Sequence, residues 1–293
     1  MILDGKIVAE SIKEKVKEYV SGEINPVKLT IVQVGDNPAS NTYVKNKINA
    51  CNECGIDSEV LKYAEPTEHD RCMFIPADLS ATENPIMLQL PLPQGWDESY
   101  FTNLIPSKYD ADCLTNLSLG KFYTSNNPQL APCTPQGIID ILDYYNIALQ
   151  GKRALVIGRS NIVGKPIAHF LTSRNATVTV AHSKTPRDEL LRLFATSHIV
   201  VSAVGIPEFI TEEDAYQYFK DNRHDFYNSF DTIKDRVIID VGINRNSEGK
   251  LCGDFSEEFK AKYSHDYTPV PGGVGPLTVA NLLYNTVKLY KIS

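Results

Sequence analysis

The run Ala154-Leu155-Val156-Ile157 ends on Gly158 and continues as Gly158-Arg159-Ser160-Asn161-Ile162-Val163-Gly164, and no other feature narrows the fold as much. An apolar strand that passes through a glycine turn into a helix is the opening of a βαβ unit, with backbone N–H groups and the helix dipole facing the turn. That arrangement suits a pyrophosphate. Further apolar strands are expected at Thr177–Ala181, Ile199–Ala203 and Val237–Val241, with room for a helix between each pair. Repetition of this kind from Gly151 onward predicts a doubly wound parallel sheet. The spacing here is Gly-x-Ser-x-x-x-Gly and not the usual Gly-x-Gly-x-x-Gly, so the strand–turn–helix context carries the reading, with an ordinary tight βα turn as the alternative.

The next strand separates two dinucleotides. A fold that selects NAD places Asp or Glu roughly 20 residues after the first glycine, to hold the ribose 2′-hydroxyl. This chain has Ala181-His182-Ser183-Lys184 there, without an acid. Arg159 in the turn, with Ser183 and Lys184, suits a 2′-phosphate instead, because a guanidinium pairs bidentately with phosphate. NADP is therefore favoured over NAD, the plain alternative being that Arg159 and Lys184 are solvated surface residues.

At 293 residues the chain is about two domains long, and a second α/β unit precedes the first glycine turn. Val8, Ile12, Val16 and Val20 repeat every four residues and predict an amphipathic helix over about 7–20. Lys28–Val34 reads as a buried strand stopped by Gly35-Asp36-Asn37-Pro38. Ser40 is the expected N-cap of a helix that Gly55 ends, and strands follow at Ser58–Lys62 and Ile86–Leu90. The segment from Ala64 to Pro85, with prolines at 66, 76 and 85, reads as short and irregular. Thr278 to Leu289 is helical in pattern.

Charge and composition exclude several classes. The 29 Lys and Arg stand against 36 Asp and Glu, a net charge of −7, which disfavours nucleic acid and anionic membrane as partners. The longest apolar runs fall far short of the ~20 residues a membrane span needs, and Asp4 interrupts the N-terminus, so neither a span nor a secretory signal is expected. Six cysteines are too few for a disulfide scaffold and point to free thiols in a reducing cytosol. Cys51-Asn52-Glu53-Cys54 has redox or zinc spacing. It sits late in a helix with no second pair and no spaced His, so small buried side chains are the better reading. No metal constellation is expected.

Three shorter segments carry polar side chains in suggestive places. Tyr43 and Lys47 are four apart and share a helix face, a pattern that is also ordinary surface packing. A lysine near the usual ~10.4 is protonated at neutral pH, and burial is what makes such a group available for proton transfer. In Leu88-Gln89-Leu90-Pro91-Leu92-Pro93, Gln89 is the one polar side chain, at the carboxyl end of a strand where open sheets bind ligands. Thr268 to Pro276 forms a Pro/Gly-rich loop that lets backbone approach a ligand closely.

Together these segments are specific. Val34-Gly35-Asp36-Asn37-Pro38-Ala39-Ser40 with Tyr43 and Lys47, Gln89-Leu90-Pro91-Leu92-Pro93, Pro132-Cys133-Thr134-Pro135, the Gly158–Gly164 run, Asp240-Val241-Gly242-Ile243-Asn244-Arg245 and Pro269–Pro276 resemble, in family order, the bifunctional methylenetetrahydrofolate dehydrogenase/methenyltetrahydrofolate cyclohydrolase family. The resemblance implies an α/β chain of two domains around a cleft. Residues 1–140, completed by a C-terminal helix within 270–293, would be the folate-binding catalytic domain. Residues 141–269 would be a Rossmann-like NADP-binding domain. It implies oxidation of 5,10-methylenetetrahydrofolate with NADP and hydrolysis of the methenyl product to 10-formyltetrahydrofolate, in a cytoplasmic homodimer.

By the same resemblance Lys47 handles the proton, Tyr43 packs on the folate rings, Gln89 hydrogen-bonds Lys47, and Asp112 holds the pterin edge. Ser40, Leu90, Pro91, Pro271, Gly272 and Gly273 complete the substrate side. Gly158, Arg159, Ser160, Ile162, Ser183 and Ile243 take the cofactor positions. Two departures stand out: the family pattern Asp-Val-Asp-Gly is here Asp110-Ala111-Asp112-Cys113, and its regular helix falls in the irregular 64–85 segment. The rivals are a family member with one activity lost and a non-catalytic folate- or nucleotide-binding protein. Tyr43, Lys47, Gln89 and Asp112 together speak against the latter, since mere binding needs no activated lysine.

Overall fold

The computed structural model describes residues 1–125, 127–221, 235–246 and 248–292. The chain divides into two compact units, one of residues 9–133 with 278–293, the other of residues 1–8 with 134–277.

In the first unit, α1 (Gly5–Ser21, all but its first four residues) leads into β1 (Lys28–Val34), α2 (Pro38–Cys54) and β2 (Asp57–Tyr63). A helical segment then runs through α3 (Ile75–Ser80) to β3 (Ile86–Gln89), followed by α4 (Glu98–Thr102) and α5 (Asn116–Thr124). The three strands form a parallel sheet in the order β2-β1-β3. β1 is central because its side chains are apolar on both faces, as parallel strands require. Leu29 and Ile31 enter a core with Val16, Val44, Ala50, Leu282 and Leu283, whereas Val32 and Val34 enter the opposite core with Leu88, Leu79 and Phe101. A Leu or Ile buried this way contributes roughly 1.5–3 kcal/mol, so β1 anchors the layers on which α2 rests.

Two local expectations are corrected. The N-cap of α2 is Asn37, not Ser40: the Asn37 side chain accepts the N–H groups of Ala39 and Ser40, and Pro38 takes the first helical position, where its missing N–H and fixed φ are favourable. The 64–85 segment is not irregular either. It is helical from Asp70 to Ser80, with a π turn over Asp70–Phe74. Pro76 explains the turn, because it has no N–H to donate and its ring would clash with the carbonyl four residues back. The Ile75 N–H accordingly reaches Asp70 O, five residues back, and the widened turn accommodates the ring.

The second unit holds α6 (Cys133–Tyr144, all but its first residue), β4 (Arg153–Ile157), α7 (Gly164–Ser173), β5 (Thr177–Ala181), α8 (Arg187–Thr196), β6 (Ile199–Ser202), α9 (Glu212–Asp221) and β7 (Val237–Asp240). A short antiparallel pair, β8 (Asn244–Arg245) with β9 (Leu251–Cys252), then α10 (Glu257–Tyr263) and β10 (Asp266–Tyr267) complete it. The chain ends with α11 (Val274–Ile292). The five-stranded sheet has the order β10-β7-β6-β4-β5, all parallel. Chain order reverses between β4 and β6, which makes the carboxyl ends of those strands the switch point where ligands of open sheets bind.

Candidate active site

Lys47 lies in the middle of α2 and is 8% exposed. It is buried because the inward positions of α2, namely Ser40, Val44, Lys47, Ala50, Cys51 and Cys54, follow a helical period. Its Nζ donates to Gln89 Oε1 at 2.9 Å and lies 3.2 Å from Met87 Sδ. Both partners come from β3, whose side chains bury alongside the helix. Gln89 Nε2 in turn donates to Leu90 O at 2.6 Å, so the amide is turned with its oxygen toward Lys47. Among the described residues no carboxylate forms an ion pair with Lys47. Its partners are neutral acceptors. Tyr43, one helical turn earlier, is 37% exposed. Ser40 is buried at the start of the same helix, and the Leu90–Pro91 bond after Gln89 is cis.

Two nearby carboxylates behave differently. Asp110 is buried and accepts the N–H groups of Leu114 at 3.2 Å and Thr115 at 2.8 Å, and burial pushes its carboxyl above the ordinary value. It organises the loop. Asp112, two residues on, is half-buried. Cys133 lies against it and is fully buried; burial first, then the Asp112 charge, hold its thiol well above the usual range, with Lys47 acting the other way. Asp112, Cys133 and Lys47 are therefore electrostatic neighbours.

The cofactor candidates occupy the second unit. Gly158 ends β4 with φ +121°, and a β-carbon there would come within 2.6 Å of Ala203 O at the end of β6, so the turn closes on the switch point only with glycine. Ser160 Oγ accepts the N–H groups of Val163 and Gly164 at 3.1 and 3.3 Å and so organises the start of α7. The register pairs Ile157 with Ala181, which brings Arg159 and Ser183 off adjacent strand ends, both exposed. No acid stands at Ser183-Lys184. Ile162 and Ile243 expose apolar side chains, 37% and 45%, in the loops after β4 and β7. A glycine cradle, a helix N-terminus and an exposed arginine fit a phosphorylated dinucleotide. In the loop after β10, Pro271 is exposed, whereas Gly272 and Gly273 are buried against Gly5, whose N–H donates to Gly272 O at 3.0 Å.

Two family descriptions match this chain. Tetrahydrofolate dehydrogenase/cyclohydrolase, catalytic domain, covers residues 3–112, and the NAD(P)-binding domain of the same name covers residues 132–218 and 226–293. The chain belongs to the tetrahydrofolate dehydrogenase/cyclohydrolase family. It is 40% identical to the bifunctional protein FolD of Ligilactobacillus salivarius over 294 residues, 98% of this chain and 96% of that one. It is also 40% identical to FolD of Agathobacter rectalis over 299 residues, 99% of each. Among solved structures, the bifunctional FolD methylenetetrahydrofolate dehydrogenase/cyclohydrolase of Campylobacter jejuni matches with a TM-score of 0.86 at 35% identity, covering 100% of this chain and 99% of that one. The Trypanosoma brucei enzyme, complexed with NADP cofactor and inhibitor, matches at 0.87 and 30% identity, covering 100% and 97%.

Where this member of the family departs from the usual glycine, Cys113 keeps the left-handed conformation, φ +58°, with its side chain buried. Cys51 and Cys54 are free and buried in the core, and burial pushes their thiols up to about 12 and about 11. Among the described residues no group of three or more His, Cys, Asp or Glu is placed to hold a metal ion, and no helix is long and apolar enough to cross a membrane. Sequence reasoning missed Asn285, buried on α11, whose Nδ2 donates to Ala111 O and Ala131 O at 3.0 Å each and so ties the Asp112 loop to the strand of chain before Cys133. It missed Met87 beside Lys47 and the buried cluster around Asp240 as well. Only two asparagines, Asn281 and Asn285, in an otherwise apolar helix signalled the first.

Proposed function

We propose that this chain oxidises 5,10-methylenetetrahydrofolate to 5,10-methenyltetrahydrofolate with NADP and hydrolyses the product to 10-formyltetrahydrofolate. The observation that carries the reading is Lys47, buried and held by a neutral amide oxygen that its own strand has oriented. With neutral acceptors and, among the described residues, no ion pair at its amine, Lys47 is assigned the proton-transfer role.

In the first step a hydride leaves the methylene carbon and the methenyl cation forms. Bound NADP supplies the hydride acceptor. The protein's part is positioning: Tyr43 packs on the folate rings, the Asp112 carboxylate accepts the pterin amino and ring N–H groups, and Ser40, Leu90 and Pro91 line the substrate. Pro271, Gly272 and Gly273 are assigned to the same ligand. On the cofactor side, Gly158, Ser160, Ile162, Ser183 and Ile243 form the cradle, and Arg159 pairs with a 2′-phosphate. In the second step water adds to the methenyl carbon and passes a proton to Lys47. The hydroxyl proton then moves to N5 as the C–N5 bond breaks, and Lys47 returns its proton to solvent. The same reading makes the protein a cytoplasmic homodimer, which light scattering on the purified chain tests.

Absorbance monitoring with methylenetetrahydrofolate and either dinucleotide tests the main claim; no turnover with either overturns it. Arg159→Gln is expected to raise the KM for NADP roughly 10- to 100-fold with little change for NAD, the size of a lost charge-assisted hydrogen bond. Equal effects on both would remove the phosphate role of Arg159.

A further inference from the structure

Lys260 on α10 is completely buried, with carboxylates around it, and it belongs to neither set of candidate residues. Its Nζ donates to Glu257 Oε1 at 2.6 Å and to Thr268 O at 2.9 Å, and lies 3.7 Å from Asp240 Oδ2. Each partner belongs to a different piece of chain. Thr268 opens the loop that contains Pro271, Gly272 and Gly273. Glu257 Oε1 also accepts the Val270 N–H at 3.1 Å, a second tie to that loop. Asp240 ends β7, immediately before the loop that carries Ile243.

Asp240 passes the connection on. Its N–H donates to Thr268 Oγ1 at 2.8 Å, and its carboxylate accepts the N–H groups of Gly242, Asp254 and Phe255 at 2.9–3.0 Å. A β-carbon on Gly253 would come within 2.0 Å of Asp240 Oδ2, so this contact has no slack. Asp254, also buried, accepts the N–H groups of Val204 and Ile206 and the side chain of Asn244. Hydrogen bonds therefore run without a break from Val270 to the loops after β6 and β7.

Packing alone does not call for this. An apolar side chain of similar volume in place of a buried ion pair is commonly neutral or stabilising, so charged groups retained here serve placement. We propose that Lys260 is a positioning residue that fixes the 268–273 loop and the 241–244 loop as one piece, so that substrate and cofactor affinities are set together. The assignment rests on the reading above, which gives the first loop to the folate and the second to the dinucleotide.

The test uses the full-length chain with Lys260→Met, and three measurements. Lys260→Met is expected to weaken NADPH binding, read by fluorescence titration, about tenfold, and to raise the KM for methenyltetrahydrofolate in the cofactor-independent hydrolysis about tenfold, with kcat changed less than about threefold. Hydrogen exchange is expected to quicken in residues 241–246 and 268–274 while β4 and β5 keep their protection. A change in only one affinity, in only one loop, or uniformly across the sheet overturns the proposal.

Glu257→Ala covers the case in which Lys260→Met does not fold, because Glu257 is half-exposed and is bonded to both Lys260 and Val270. It is expected to raise the methenyltetrahydrofolate KM and to weaken NADPH binding together, each about threefold. A change in only one of the two, or in neither, overturns the proposal. A wild-type chain that turns over no folate would fail the function reading, and the exchange and NADPH measurements would still decide the role of Lys260.

Discussion

Lys47 and Lys260 are both buried lysines on helices, and they are met in opposite ways. Lys47, in the first unit, has an amide oxygen and a thioether for partners. Lys260, in the second, has Glu257 and Asp240 beside it. A cation among neutral acceptors leaves no orphaned charge if it is removed. Removal of a cation that sits beside a buried carboxylate strands negative charge in a low-dielectric interior, where breaking a pair costs about 3–5 kcal/mol. On the roles proposed above, the same side chain serves chemistry in one place and architecture in the other. Asp240 shows the second environment plainly: burial pushes its carboxyl up to about 6 even with Lys260 close by.

The largest effect that separates the two is expected from removal of each amine. Lys47→Met should lower hydrolysis of methenyltetrahydrofolate by roughly 10²- to 10⁴-fold, the usual contribution of a positioned proton acceptor. Some hydride transfer should remain, and the thermal midpoint should hold or rise, because an apolar chain replaces a desolvated amine. Lys260→Met should do the reverse, lowering the midpoint by on the order of 10 °C and changing the hydrolytic kcat little. Calorimetry beside the hydrolysis assay reads both. If Lys47→Met unfolded the protein or left hydrolysis intact, the contrast between the lysines would collapse.

Gln89→Glu sharpens it by giving Lys47 the environment of Lys260. A carboxylate at that position is isosteric and favours the ammonium form, so hydrolysis at neutral pH should fall about tenfold or more. The loss should shrink as the pH is raised, which is the direction expected if the amine form does the work. A pH–rate profile that merely scales down uniformly would assign Gln89 to packing alone.

What the amino-acid order disclosed follows the range of the interactions. The strands and the glycine turn are local: apolar runs, Gly158 and the residues after it were enough to place β4, α7 and β5. Lys47 and Gln89 were separate short signals that only the family resemblance joined, and the 2.9 Å contact between α2 and β3 is how the fold brings them together. The π turn at Asp70–Phe74 was missed because Pro76 reads as a helix breaker, although here the helix widens around it. Lys260 and Asp254 were missed for a different reason. Nothing local marks a charged residue as buried, and here the burial depends on partners from 8 to 52 residues away.

The smallest effect tests whether the carboxylate on the folate side is held by a scaffold of its own, as Asp240 is on the other. Asp110 takes the N–H groups of Leu114 and Thr115 and is the candidate scaffold for Asp112. Cys113, the residue after Asp112, sits at φ +58° with its side chain buried. Its left-handed backbone costs an L-residue about 1–2 kcal/mol. Cys113→Gly would remove that strain, but it would also give up a small buried side chain and add backbone freedom to the unfolded chain, each worth roughly 0.5–1 kcal/mol. The terms nearly cancel, so the midpoint should move by no more than about 3 °C, and the folate KM should stay within about twofold, since Asp110 still sets the loop. A KM shift well beyond the stability change would make Cys113 the residue that places Asp112. The two units would then differ in how they hold their ligand-facing loops as well as in how they treat a buried lysine.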